Sequence, residues 1–566
     1  MPNLVANRRG AHHGQPFHPH RPHRRPHRPG RHQLDRHELD RDELDWHELD
    51  RDELDWHELD RDELDRDELD RDELDRDELD LMSPGAAVLD ALRTADLFPP
   101  GHPDREAAQR RAARLVAADP SLLDEPAVAP ARRQLRRWAR LVPHLLDDEV
   151  EFTSTPLQRA AVSSQLARLA GLEDDPATSQ DTVDAALRGL DQVDPAERLA
   201  ADRRAHFLTA RRLPATGPAL VQLAGLHVAD DRRRGIGDWR TRWAIANGTQ
   251  VATLRTLQVA LDGAVGLSAG WWRARARLMG EQWSDRRALP PHPPAALEDQ
   301  AAAAAHSLAA AMPDLAAAAM TEAGRMRAGR DNRVTAEADG RPSATVVHRP
   351  TDRGALMVAH ELGHAVHAVM AMGTEPPGAL VGETVACWAS LVAGRAAVAR
   401  AMASGDRAAT VAAAMALGDM LVEEVFVSAA ISSFEDRLYG AVAQAAPPPD
   451  ALGQWWADAH EAVFGGAVSL PDYARTGWAR LPSLAQRPGH ALAYTWASLL
   501  ALAAAPPVHP PALPDHTRMI GAMRLGGVDA DEMTVALGFQ SNTWIAAGLG
   551  ALAGELTRLA QILACG

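Results

Sequence analysis

Two histidines and a glutamate, His360, Glu361 and His364, fall within five residues inside the apolar stretch VAHELGHAVHAVMA at 358–371. The apolar spacing reads as helix, and Thr351 or Asp352 can cap a helix that runs to Gly373. Residues four apart on a helix lie about 40° from coincident, so both imidazoles project from one face and can share a tetrahedral zinc ion. Glu361, beside the first histidine, is placed to take a proton from a metal-bound water without being a ligand. Three protonatable groups on so apolar a helix would each cost on the order of several kcal/mol to bury without a partner. A metal removes that cost; the alternative is a half-exposed helix whose histidines reach solvent or backbone.

Zinc in a catalytic site needs a third protein ligand and a position left for water. The next helical segment, PGALVGETVACWASLVAGRAAVARAMA, offers Glu383, nineteen residues beyond His364. Its carboxylate is the natural third ligand, against the alternative of an ion pair with an arginine such as Arg395. His367, one turn after His364, is either an outer partner of the site or an ordinary core histidine. Cys387, one turn after Glu383, reads as a small buried hydrophobe in preference to a group approaching the metal.

The elements that must position these residues are mostly helical. Alanine dominates nearly every window after residue 105, apolar residues make up 46% of the 566-residue chain and aromatics only 4%. Helical spacing recurs in SPGAAVLDALRTADLF, REAAQRRAARLVAADP, TPLQRAAVSSQLARLAGLEDDP and TVDAALRGLDQV, separated by prolines and Asp-Pro pairs. A longer helical stretch runs from Asp238 to Gln282 with an expected break near Gly263 to Gly270, and PPHPPAALED reads as a linker-like turn. The one convincing strand is ATVVH, residues 344–348, just before the histidine helix.

Net charge is −17, unevenly spread, and all 60 basic residues are arginine. Residues 1–30 hold six arginines and no acid, residues 31–81 hold 25 acids against eight arginines, so the rest carries −17 − 6 + 17 = −6. Nothing in that body reads as a nucleic-acid surface. The basic HPHRPHRRPHRPGRH tract and the RDELD repeat that follows it put no apolar stripe on a helix, because a five-residue step wanders around the axis. Residues 1–81 therefore read as a disordered extension, with Met82 as a possible true start; an interaction or metal-scavenging tail is the other reading. Two distant cysteines, Cys387 and Cys565, point to a reducing compartment. With no signal peptide visible and apolar runs judged shorter than 18 residues, the expectation is a cytoplasmic protein with no membrane partner.

These motifs resemble the thimet oligopeptidase and oligoendopeptidase F family of zinc metallopeptidases. The resemblance rests on VAHELGHAVH, LVGETVACWAS, SSFEDRLYG at 432–440 and GWARLPSLAQRPGHALAYTWASLLALA, from about Arg240 to Pro506 and more faintly back to Ser83. It implies a mainly α, two-lobed shell around a deep channel, with a small sheet near the active-site helix whose edge strand holds the peptide; ATVVH falls where that strand should be. It implies one Zn²⁺ on His360, His364 and Glu383, Glu361 as general base and acid, and short peptides as substrates. Two departures stand out. Ser483 follows Leu481-Pro482 where the family places a histidine, and only Tyr494 matches among the expected tyrosines, His490 and Leu492 standing where others belong. Tyr494 would donate to the oxyanion, and His490, one turn earlier, would replace the missing histidine. The expected organisation is an extension at 1–81, an N-terminal helical region at 82–285 and a zinc-binding catalytic region at 286–566. The rivals to an endopeptidase are a zinc-holding peptide binder and an exopeptidase that trims chain ends; the oligomeric state is left open.

Overall fold

Local capping chemistry sets the helix limits around the motif. Thr351 Oγ1 accepts the Gly354 amide at 3.1 Å and starts the motif helix, Asp352–Met370. The carboxylate helix, Ala379–Ser404, ends where Gly405 turns left-handed at φ 72°. Asp406 Oδ1 then accepts the Ala409 amide at 3.0 Å and opens Arg407–Val422. That helix continues through a π turn, Glu423–Val427, into Ser428–Val442, giving one long bulged helix. A left-handed Gly489, φ 79°, precedes the tyrosine helix, His490–Ala504.

The computed structural model describes the chain from Ser83 onward, leaving out 97–102, 126–155 apart from Val128, Ala131 and Leu135, 172–178, 192–193, 281–294 apart from Trp283 and Ala288, 330–331, 337–340, 373–377, 449, 506–515, 526–527 and 566. The expected extension at 1–81 and the expected boundary at 285–286 lie outside the described residues. What is described is mainly α, nineteen α-helices with one small sheet, as the resemblance implies. The motif and carboxylate helices pack along each other at the centre, with the tyrosine helix against the carboxylate helix and Thr543–Ala564 against the tyrosine helix. One continuous core holds side chains from Leu220 to Leu563; a smaller cluster around Val88, Ala112 and Leu135 serves the N-terminal helices.

The sheet has the order β1 (Arg327–Ala328), β3 (Pro342–Val346), β2 (Arg333–Ala336). β3 pairs parallel to β1 with Arg327 opposite Thr345, and antiparallel to β2 with Val334 opposite Ala344. Alternate residues Pro342, Ala344 and Val346 face inward, and β3 packs on the motif helix. This corrects the expectation of an edge strand: among the described strands ATVVH contributes the central one, and it ends at Val346, short of His348.

The long helical stretch also differs from expectation. It breaks at Gly248, φ 69°, which ends Trp239–Asn247, and Val251–Met279 runs on unbroken through Gly263, Gly266 and Gly270. A Cβ at any of those three glycines would meet nothing within 4 Å, while Leu257, Leu261, Trp271 and Trp272 on the opposite face are buried and hold the helix down. Packing outweighs the roughly 1 kcal/mol that each glycine costs. The carboxylate helix, with a mean hydropathy of 1.2 over 18 residues, is long and apolar enough to cross a membrane, contrary to the short runs expected; in the fold 61% of that window is buried.

Candidate metal centre

His360 and His364 leave the motif helix on one side, their rings 4.9 Å apart and nearly perpendicular at 82°. Glu383 reaches in from the carboxylate helix, its Oε2 3.3 Å from His360 Nε2 and 3.7 Å from His364 Nε2. The helices approach this closely because residue 363 is glycine: a Cβ there would lie 2.7 Å from Ala389 Cβ and 2.9 Å from Ala386 Cα. Donor atoms of the three residues all lie within 4.8 Å of one another.

Glu383 Oε2 is buried and receives no hydrogen bond. An acceptor thus sits between two ring nitrogens, 3.3 and 3.7 Å from it. That arrangement, two imidazoles and a carboxylate converging, fits a zinc ion with a position to spare. Burial disfavours a proton on His360, yet Glu383, Glu361 and Glu424 outweigh it and lift the pKa to about 9. Burial holds His364 down to about 4, with His360 and His490 adding to the effect against Glu383. Glu383, which burial alone would raise, is brought down to about 2 by His360, His364 and His490.

The other residues singled out by sequence fall around this point. Glu361 is buried on the motif helix, and its charge acts on both His360 and Tyr494. The Tyr494 ring lies 6.0 Å from that of His360 and 5.1 Å from that of His490. Burial and the carboxylates Glu383, Glu424 and Glu361 push the Tyr494 phenol well above its ordinary value, so it stays protonated. His490, half-buried at the start of the tyrosine helix, is lowered chiefly by burial and feels the charge of Glu383. Arg395 pairs with Glu555 at 3.3 Å and leaves Glu383 to the histidines. His367 is buried with Nε2 unpartnered, and burial lowers its pKa to about 4. Ser483 begins a four-residue turn, Ser483–Gln486.

Four features were missed by sequence. Cys387, Glu424 and His360 place their donor atoms within 4.8 Å of one another, and Ser498 Oγ donates to Glu424 Oε2 at 2.5 Å. The π turn presents both of its acids: Glu423 accepts from Arg353 of the motif helix at 3.0 Å while Glu424 faces the tyrosine helix. Thr495 Oγ1 donates to the Val425 carbonyl at 3.1 Å, serving a carbonyl in the widened turn. Asp419, one turn earlier and fully buried, accepts from Trp271 Nε1 at 2.9 Å, Arg275 Nε at 2.9 Å and Arg353 Nη2 at 3.1 Å. Three acids in the apolar run GDMLVEEVFV were the available signal, since buried carboxylates need partners. Glu435, from SSFEDRLYG, accepts the Gly489 amide at 2.8 Å and so ties down the turn ahead of His490.

No family model matches the sequence, and no curated protein is similar to it. Solved structures are similar in fold. Oligoendopeptidase-F from Enterococcus faecium superposes with a TM-score of 0.55 at 14% identity, over 85% of this chain and 92% of that one. The chain has the oligoendopeptidase F fold. A protein of Chlamydophila abortus assigned as a peptidase gives a TM-score of 0.60 at 13% identity, over 80% of this chain and 82% of that one. Pz peptidase A, solved with an inhibitor, gives 0.55 at 13%, over 84% of this chain and 97% of that one. The histidine pair, Glu383 and the tyrosine helix are therefore set in a peptidase fold.

Proposed function

We propose that this protein is a zinc-dependent peptidase of the oligoendopeptidase F family that hydrolyses short peptides. One observation carries the reading: Glu383 Oε2 is buried without a hydrogen-bond donor, 3.3 and 3.7 Å from the Nε2 atoms of two histidines on a HExxH helix. His360, His364 and Glu383 would hold the ion. When bound, zinc supplies Lewis acidity, lowering the pKa of a water towards about 7 and polarising a carbonyl.

The chain's own groups do the rest. The Glu361 carboxylate accepts a proton from the attacking water as its oxygen bonds to the carbonyl carbon, then hands that proton to the nitrogen as the C–N bond breaks. The Tyr494 hydroxyl, kept protonated by its surroundings, donates to the oxygen that gathers negative charge, and His490 beside it supplies a second donor. The buried Glu361 acts where little water competes for its proton.

Purified protein, incubated with internally quenched peptides, is expected to cleave them, to stop on chelation and to resume on adding zinc. Glu361→Gln should retain zinc and lose about 100-fold or more in kcat. Equal turnover by the two proteins would refute the assigned role. Product masses sort internal cuts, which the reading expects, from stepwise loss at one end. The second reading, a zinc-holding peptide binder, is favoured by Ser483 and Leu492 at positions where the family supplies a histidine and a tyrosine; binding without chelator-sensitive cleavage would decide for it.

A further inference from the structure

A cavity of about 270 Å³ lies away from the metal centre and includes none of its residues. It is walled by the end of the helix Pro195–Arg233, by the turn into Trp239–Asn247 and by the last turns of Ser428–Val442. Tyr439, on its wall, stands twelve residues beyond Val427, where the π turn ends, or roughly 18 Å along the helix axis. Two helices finish here, at Arg233 and Val442, and the terminal carbonyls of a helix carry partial negative charge. The helix that starts here is already capped by Asp238, whose Oδ1 accepts the Thr241 amide at 2.7 Å.

Asp231 lines the cavity and is only 3% exposed. Its Oδ2 accepts from Arg242 Nη1 at 2.7 Å, while its Oδ1 is buried and receives no hydrogen bond. Arg242 is shared, since it also reaches the His227 carbonyl at 3.4 Å and lies over the Tyr439 ring at 5.6 Å. Burial lifts the Asp231 pKa to about 6 against Arg242, with Asp230 adding and Arg234 opposing, so the neighbouring arginines do not make good what burial takes away. The arginines on the wall are engaged elsewhere: Arg240 donates to Asp436 Oδ1 at 2.7 Å and to Gln258 Oε1 at 3.2 Å, and Arg232 donates to the Ala443 carbonyl. An anion would meet a carboxylate and two helix C-termini, and a neutral apolar guest would leave Asp231 Oδ1 without a donor. A guest with charged N–H groups answers both, and Val228, Ile236, Trp239 and Tyr439 offer its carbon chain an apolar wall. A bare metal ion fits less well: among the described residues, the triplets of donor atoms close enough to grip one both include His360, and neither lies here.

We propose that this cavity binds a small organic cation, an ammonium or guanidinium group on a short carbon chain, with Asp231 Oδ1 as its acceptor and the two helix ends adding their partial charge. The volume suits such a guest, since an apolar cavity of about 150 Å³ takes benzene. The site stands apart from zinc and from peptide cleavage.

The full-length protein is titrated by calorimetry with three probes: agmatine, a free amine; N-acetylarginine amide, which mimics a side chain within a peptide; and N-acetylcitrulline amide, the neutral match of the second. A cationic probe should bind at least about tenfold more tightly than the neutral match, and equally with and without zinc. Binding of agmatine alone marks a site for free amines, and binding of both cations one that also takes basic side chains of peptides. Asp231→Asn should weaken the binding at least about tenfold. Gly440→Leu, at a lining position where a Cβ meets nothing within 4 Å, fills the cavity without altering Asp231 and should abolish it. Circular dichroism and melting temperature establish that each variant is folded. No binding of either cation, equal affinity for the arginine and citrulline compounds, or binding unmoved by Gly440→Leu overturns the proposal; so does an affinity that changes with zinc, which would put the guest at the metal centre. Cleavage plays no part in this readout, so its failure would leave the peptidase reading standing.

Discussion

At the scale of single residues, the least replaceable groups are those that meet the reacting atoms. Tyr494 is one of three tyrosines in the chain and the only one against the histidine pair, so Tyr494→Phe should leave peptide binding almost intact and lower kcat by about 100- to 1000-fold. Steady-state kinetics checks this, and an unchanged kcat would remove Tyr494 from the oxyanion site. The ligand candidates were legible in the sequence because a four-residue spacing fixes a helical face whatever the surroundings. Glu383 was legible because a carboxylate in so apolar a run needs a partner. Cys387 was read as a small hydrophobe, for its neighbours Glu424 and Ser498 lie on other helices and nothing near Cys387 in the chain announces them. Glu424 lies in the π turn, which no residue type marks.

At the scale of elements, two contacts hold the helices at working distance. Gly363 lets the motif and carboxylate helices touch, so Gly363→Leu must spread them against Ala386 and Ala389. Overpacking of this kind typically costs about 1–3 kcal/mol, and zinc affinity should fall with it, measurable by competition against a chelating dye. An unaltered affinity would show that the interface yields elsewhere. Glu435 fixes the turn ahead of the tyrosine helix through the Gly489 amide, and burial pushes its pKa from 4.5 up to about 8, with Asp436 adding and that amide, Arg242 and Arg240 opposing. Between these two values the folded protein keeps a proton that the unfolded chain has released, so this carboxyl's contribution to stability falls as pH rises from about 4.5 to about 8 and is level beyond. Glu435→Gln has no such proton, and the melting temperature of the variant minus that of the wild type should grow from pH 5 to pH 8. A difference that stays constant, or shrinks, would contradict a buried neutral Glu435. The helix start at Thr351 was readable from its capping residue, but the Gly263–Gly270 region was misread, because buried tryptophans across the helix are invisible to a local count of glycines.

At the scale of the whole molecule, distant segments meet at Asp419, which accepts from Trp271 and Arg275, 148 and 144 residues away, and from Arg353, 66 residues away. No sequence period links residues so far apart, which is why the mainly helical class could be read and this junction could not. Gly418 belongs to the same knot, since a Cβ there would stand 2.2 Å from the Trp271 ring. Removing the carboxylate takes from Arg275, 2% exposed, the acid it pairs with, and leaves Arg353, 20% exposed, to Glu423. Breaking a buried pair in this way typically costs about 3–5 kcal/mol. Asp419→Ala should therefore unfold at lower denaturant than Asp419→Asn, which keeps an acceptor for the Trp271 N–H. A metal held by His360, His364 and Glu383 would couple to this scaffold by mass action: an ion that binds only the folded chain stabilises it by about 2.7 kcal/mol at 100 times its dissociation constant. Chelated wild type should gain melting temperature progressively with free zinc, while His364→Ala should gain far less. The dependence on zinc concentration distinguishes a bound ion from the ion pairs of the fold, which magnesium or salt would not reproduce. A wild-type melting curve indifferent to zinc would mean that His360, His364 and Glu383 converge for a structural reason alone.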